Sequence, residues 1–192
     1  MKGYKTEKIR NVVLLGHGSC GKTTFLEAAL KETGAITRMG KIEDGNTVSD
    51  YDKMEIAKGY SINTTLVPVE YKGFKYNFLD TPGFFDFIGE VRSALSTAAA
   101  AIIMVDASAG IQVGTEKAWK ECKKAKTPVF MVMTKIDKDN VDCDAVIDAL
   151  REKFGNSVVT DEDEDALNEA YELELRKKEA LKKRAGSNKD KI

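Results

Sequence analysis

Gly16, His17, Gly18, Ser19, Cys20, Gly21, Lys22 and Thr23 fit the spacing GxxxxGK[ST]. That spacing serves phosphate chemistry. The glycines let backbone N–H groups close around phosphate oxygens, the lysine reaches the β and γ phosphates, and the last hydroxyl ligates Mg²⁺. Thr24 follows in the first turn of a helix whose N-terminal dipole adds positive potential. A second group is Asp80-Thr81-Pro82-Gly83. An aspartate there can hold Mg²⁺ through water, and the Gly83 N–H can meet a γ-phosphate. The four-residue pattern is common by itself; its weight comes from lying at the carboxyl end of a strand, where α/β sheets bind ligands. The third group is Thr134-Lys135-Ile136-Asp137. A carboxylate at Asp137 can accept from guanine N1–H and N2–H₂ together, a donor pair that adenine lacks, and the Lys135 stem can pack on the base. The implied ligands are GTP or GDP with Mg²⁺, and a phosphate-loop ATPase is disfavoured by Asp137.

Residues 9–15 read as a short strand apolar on both faces, which suits the centre of a parallel sheet. Residues 22–31 show helical spacing through Phe25, Ala28, Ala29 and Glu32. Residues 65–71 and 74–79 read as a hairpin turning at Lys72-Gly73. Pro68 cannot donate to a ladder, so its arm should be an edge strand. Residues 101–105 and 129–133 are further apolar strands. Helices are expected through Ile88, Val91, Leu95 and Ala98, over 115–125, and over 141–154. Strands alternating with helices indicate an α/β fold: a mostly parallel sheet with helices on both faces. Residues 34–63 show no clear period, and an irregular stretch of that length inside a compact domain is usually functional.

The chain has 192 residues, at about 150 per domain one domain with some surplus. Lysine plus arginine total 30 and aspartate plus glutamate 31, a formal net charge of -1. That balance argues against strong non-specific binding of nucleic acid or anionic membrane by the whole chain. No apolar run reaches the roughly 18 residues of a membrane span, and the first residues are too polar for a signal peptide. Three cysteines without a CxxC pair, and His17 as the one histidine, imply neither a disulfide framework nor a zinc site. A reduced, cytoplasmic protein is expected. After about Val159 the composition shifts, acidic over 161–165 and mostly basic over 176–184. The expectation is a domain over 1–158 and a charged helical tail over 159–192 with a disordered end.

Over residues 8 to about 158 the sequence resembles the translational GTPases, most closely the G domain of elongation factor G, and within them the divergent elongation-factor-G-like subgroup. The segments that carry the resemblance are GHGSCGKTT, Lys58-Gly59-Tyr60-Ser61-Ile62-Asn63, DTPGFFDF, and GIQVGTEKAW followed by TKID. No nucleotide chemistry demands GIQVGTEKAW, which makes it the most family-specific of them. The resemblance implies a phosphate-loop GTPase fold, Mg²⁺-dependent GTP hydrolysis coupled to the ribosome, and several roles. Ser61 matches the switch threonine that ligates Mg²⁺ with GTP bound, completing a metal set of Thr23, Ser61 and Asp80. Thr134 replaces the usual asparagine that braces the phosphate loop. Ser19 replaces a usual aspartate. His17 is kept and should pack on the loop.

Phe84 stands where the family usually has the histidine that orders the attacking water. Phenylalanine has no donor or acceptor, and losing such a group costs on the order of 10²–10⁴ in rate. Lys22, Ser61 and Gly83 remain as candidate catalytic groups, so slow hydrolysis is expected. The family's later Ser-Ala segment, whose backbone meets guanine, has no counterpart after Asp137; Ser93-Ala94 falls earlier and on a helix. The final strand and helix also lack counterparts, which leaves 129–133 as an apolar edge, expected either to be covered by the tail helix from Asp161 or to self-associate. The alternatives are a truncated guanine-nucleotide-binding module without turnover, or another translational GTPase of the ribosomal-protection or release-factor type.

Overall fold

In the computed structural model, residues 3–155 and Val158 are described. The chain forms two compact units, Met1–Cys143 and Asp144–Ile192. The first holds five strands: β1 (Ile9–Gly16), β2 (Thr65–Tyr71), β3 (Phe74–Asp80), β4 (Ala100–Asp106) and β5 (Val129–Thr134). Its helices are α1 (Lys22–Glu32), α2 (Lys53–Lys58), α3 (Ile88–Thr97) and α4 (Val113–Ala125). The helix α5 (Cys143–Phe154) belongs, but for its first residue, to the second unit. The expected tail over 159–192 lies outside the described residues.

The sheet order is β2-β3-β1-β4-β5, antiparallel only between β2 and β3. Central β1 is covered on both faces, with Val13, Leu14 and Leu15 at 0%, 0% and 1% exposure, which accounts for its unbroken apolar run. Pro68 lies on outer strand β2 opposite Asn77, where its missing N–H costs no ladder bond. Right-handed crossovers leave β1 for β3 on one side and reach β4 on the other, which places α1 on one face and α3 and α4 on the opposite one. Leu26 and Leu30 of α1 pack with Leu14, Val67 and Val69, and the Phe25 ring meets Phe78 edge-on with centroids 6.5 Å apart. On α4 the buried residues Gly114, Thr115, Ala118, Glu121 and Cys122 recur at helical spacing and form its inner stripe. The expected apolar edge is the outer strand β5, where Phe130 is 67% exposed.

Two expectations need correction. Residues 34–63 are not wholly irregular, since they contain α2. Its N-cap, Asp52, accepts from the Met54 N–H at 2.7 Å, and Gly59 closes it with a left-handed backbone. Six residues make under two turns, too few to print a period in the sequence. Helix starts also shift by two residues: α4 begins at Val113 rather than 115, and α5 at Cys143 rather than 141.

Candidate nucleotide site

Register decides which chemistry meets. Leu14 pairs with Asp80 on one side of β1, Gly16 pairs with Met104 on the other, and Asp106 pairs with Thr134. The loop after Gly16, the Asp80-Thr81-Pro82-Gly83 corner and the Thr134-Lys135 corner therefore share the carboxyl edge of the sheet. A cleft of about 260 Å³ opens there. Gly18, Ser19, Gly21, Lys22, Thr23, Thr24, Ser61, Gly83, Phe84 and Lys135 line it, as do Ile42, Glu43, Asp50, Gly59 and Tyr60.

The loop is cross-braced. The Lys22 ammonium donates to the His17 carbonyl at 3.0 Å and is 3.9 Å from Cys20 Sγ. The Thr134 hydroxyl donates to the Cys20 carbonyl at 2.7 Å, so it does tie the third motif to the first. Thr81, fully buried, donates to the Leu14 carbonyl at 2.6 Å and fixes the turn after Asp80 on β1. A Cβ on Gly83 would lie 2.7 Å from the Gly18 nitrogen and 2.8 Å from Lys22 Nζ; only glycine lets the two loops approach this closely. Gly114 does the same for His17, where a Cβ would stand 2.5 Å from the histidine Cα. The close fit of α4 onto the loop gives GIQVGTEKAW a packing role. Cys20 is 1% exposed, and burial raises its thiol pKa, which makes it an inert packing residue.

Asp80 is 1% exposed, and one of its oxygens accepts from the Thr23 and Ser49 hydroxyls, each at 2.9 Å. Its other oxygen, Oδ1, is buried with no partner. Burial raises the Asp80 pKa, against the pull of the Lys22 ammonium and the two hydroxyls, with the Asp50 charge adding to the rise. Asp50 accepts from Ser61 Oγ at 2.7 Å; burial raises its pKa too, with the Ser61 bond opposing. An unpartnered carboxylate oxygen beside a second carboxylate is a donor set that suits a hard divalent cation. Ser61 donates its proton to Asp50 and keeps oxygen lone pairs. These donor atoms have the chemistry a hard divalent cation such as Mg²⁺ requires.

At the third corner Lys135 meets Asp106 Oδ2 at 2.6 Å, while Asp106 Oδ1 accepts from the Ser108 N–H and hydroxyl at 3.0 and 2.6 Å. Burial opposes ionisation of Asp106, but these bonds outweigh it and its pKa lies below the ordinary value. Asp137 is exposed and does not line the cleft with Lys135. Pro82 lies buried behind Gly83.

Three groups escaped the sequence reading, Ser49, Asp50 and Asp106, and Tyr60 stands in it only as part of the switch segment, with no role. Asp106 carried a signal, since it ends an apolar strand as Asp80 does. Ser49 and Asp50 sit in a stretch without period, and nothing in their spacing marks them.

A mostly parallel sheet with its first loop cross-braced to two acidic or polar strand ends defines a phosphate-loop α/β domain. The chain belongs to the Elongation factor Tu GTP binding domain family, which matches residues 7–188. It is 36% identical over 151 residues to an elongation factor G-like protein of Mycobacterium tuberculosis, covering 79% of this chain and 21% of the relative. To the mitochondrial ribosome-releasing factor 2 of Rattus norvegicus it is 35% identical over 147 residues, covering 77% and 19%. A crystal structure of a Thermus thermophilus protein superposes with a TM-score of 0.74 at 41% identity, covering 77% of this chain and 22% of that one. The chain thus spans about a fifth of the length of these curated relatives.

Proposed function

We propose that this chain is the guanine-nucleotide-binding domain of an elongation-factor-G-like translation factor. It binds GTP and GDP with Mg²⁺, hydrolyses GTP slowly by itself, and works with the ribosome as partner. The observation that carries the reading is the buried, partnerless Asp80 Oδ1, on a carboxylate whose other oxygen accepts from Thr23 at the end of the phosphate loop. A fully buried carboxylate with an unmet oxygen opposes folding unless a cation is meant to meet it. Family membership and relatives named as translation factors support the assignment of partner and reaction. The free thiols Cys20, Cys122 and Cys143 fit a reducing cytoplasm.

In this reading the N–H groups of residues 18–24 cradle the phosphates, and Lys22 neutralises the β and γ oxygens. Bound Mg²⁺ supplies charge neutralisation at those oxygens. The Gly83 N–H stands at the γ-phosphate. Thr134 holds the loop, the Lys135 stem covers the base, and Asp137 accepts from the guanine edge. Binding without turnover is the second reading. It is favoured by Phe84, which lies beside Gly83 and offers no polar atom.

The test is titration with a fluorescent guanine nucleotide. Lys22→Ala should abolish binding, and unchanged affinity would sink the site assignment. Asp137→Asn should weaken GTP and favour xanthosine triphosphate, since truncating a charge-assisted pair costs about 2–5 kcal/mol. Equal loss for both nucleotides would move the base site elsewhere.

A further inference from the structure

Phe84 stands over the phosphate loop, its ring 3.2 Å from where a Gly18 Cβ would be. It does not stand alone. The Tyr60 ring meets it edge-on, centroids 4.7 Å apart and planes at 60°. Both rings line the cleft with Lys22, Thr23 and Gly83. Two aromatic rings thus form the wall next to Gly83, and only one of them carries a polar atom.

The segment bearing Tyr60 is held in place from both sides. Before it, the Gly59 N–H donates to the Glu55 carbonyl at 2.8 Å. After it, the Ile62 and Asn63 N–H groups donate to Glu55 Oε1 at 2.9 and 3.0 Å. Glu55 is itself 2% exposed. Glu55 thus fixes the chain before Tyr60 through its carbonyl and after it through its buried carboxylate, which makes it a positioning device. Ser61, the next residue, donates its hydroxyl proton to Asp50 at 2.7 Å.

We propose that the Tyr60 phenol does the polar work that Phe84 cannot: it orders the water that attacks the γ-phosphorus. The inference rests on the proposed function, whose substrate it takes as GTP. The water oxygen forms a bond to the γ-phosphorus as the bond from that phosphorus to the β–γ bridging oxygen breaks. The bridging electron pair leaves with GDP, and the water protons pass to the phosphate product and solvent. Tyr60 only hydrogen-bonds the water, accepting or donating, and ends unchanged. Phe84 presses the phenol ring into place and screens the site from bulk water.

The experiment is single-turnover hydrolysis of radiolabelled GTP by the 192-residue chain in excess, with nucleotide affinity measured in parallel. Tyr60→Phe keeps the ring and the contact with Phe84 and removes only the hydroxyl. It should lower the hydrolysis rate about tenfold or more while GDP and GTP affinities stay within about twofold. The swap Tyr60→Phe with Phe84→Tyr, which returns a hydroxyl to the same ring pair, should recover part of the loss. A Tyr60→Phe rate equal to wild type overturns the inference. So does a loss on Glu43→Gln with none on Tyr60→Phe, which would give the water to the other unassigned polar residue of the cleft. Wild type that binds GTP and leaves it intact overturns the inference but not the nucleotide-binding reading, whereas failure to bind any guanine nucleotide overturns the function itself.

Discussion

Replacing Glu27 by glutamine should loosen residues 40–48 from the body of the domain. Glu27 lies on α1 at 1% exposure, and its two carboxylate oxygens are both used on backbone. Oε2 accepts from the Gly40 N–H at 2.7 Å and Oε1 from the Val48 N–H at 2.6 Å. Glutamine keeps one acceptor oxygen and presents an NH₂ to the other N–H. One bond is lost, a donor is left facing a donor, and the surviving bond loses its charge. A hydrogen bond to a charged group contributes about 1.5–3 kcal/mol, so a loss of about 2–4 kcal/mol is expected. At roughly 1.4 kcal/mol per decade that is about a 30- to 700-fold rise in opening. Native-state amide exchange reads it directly, with Gly40 and Val48 as reporters. Their exchange should speed by that factor, while Val13 in the centre of the sheet changes far less. Wild-type exchange at Gly40 and Val48 would show that the carboxylate does not hold this segment, and the reasoning would fail.

Asp80→Asn should separate stability from binding. Burial raises the folded carboxyl pKa above its ordinary 3.8. The folded chain therefore holds that proton more tightly, and the stabilising contribution is lost as pH rises through the folded value. At neutral pH the nucleotide-free variant should melt higher than wild type, with the gap closing in acid, while Mg²⁺-dependent GTP affinity falls about tenfold or more. A lower melting temperature at neutral pH would refute the account of Asp80. Glu121 titrates the other way. Arg92 at 2.9 Å and Lys124 at 2.6 Å hold its pKa at about 2, below the ordinary 4.5. Its contribution is present above 4.5 and lost as pH falls through about 2. Urea unfolding of Glu121→Gln should therefore show a stability deficit that is full at neutral pH and shrinks between those two values; a deficit constant with pH would count against the ion pair.

The alternation of elements and the three motifs were legible from the residues without any fold, because both signals are local. A continuous apolar run such as residues 12–15 states burial on two faces, and GxxxxGK[ST] states a backbone cradle within one short loop. Pro68 announced an edge strand because a missing N–H is a property of one residue. The pairing of Lys72 and Gly73, with φ of 45° and 79°, is likewise written in the turn. What surrounds the motifs came only with folding. Asp50 approaches Asp80 from a distant stretch of chain, Glu55 gathers residues 59–63 around Tyr60, Asp106 holds Lys135 through neighbouring strands, and Gly114 fits α4 against His17. Asp50, Asp106 and Gly114 have no fixed offset from what they touch. Their distances are set by sheet register and by how closely one backbone can approach another, and those quantities exist only once the strands have paired.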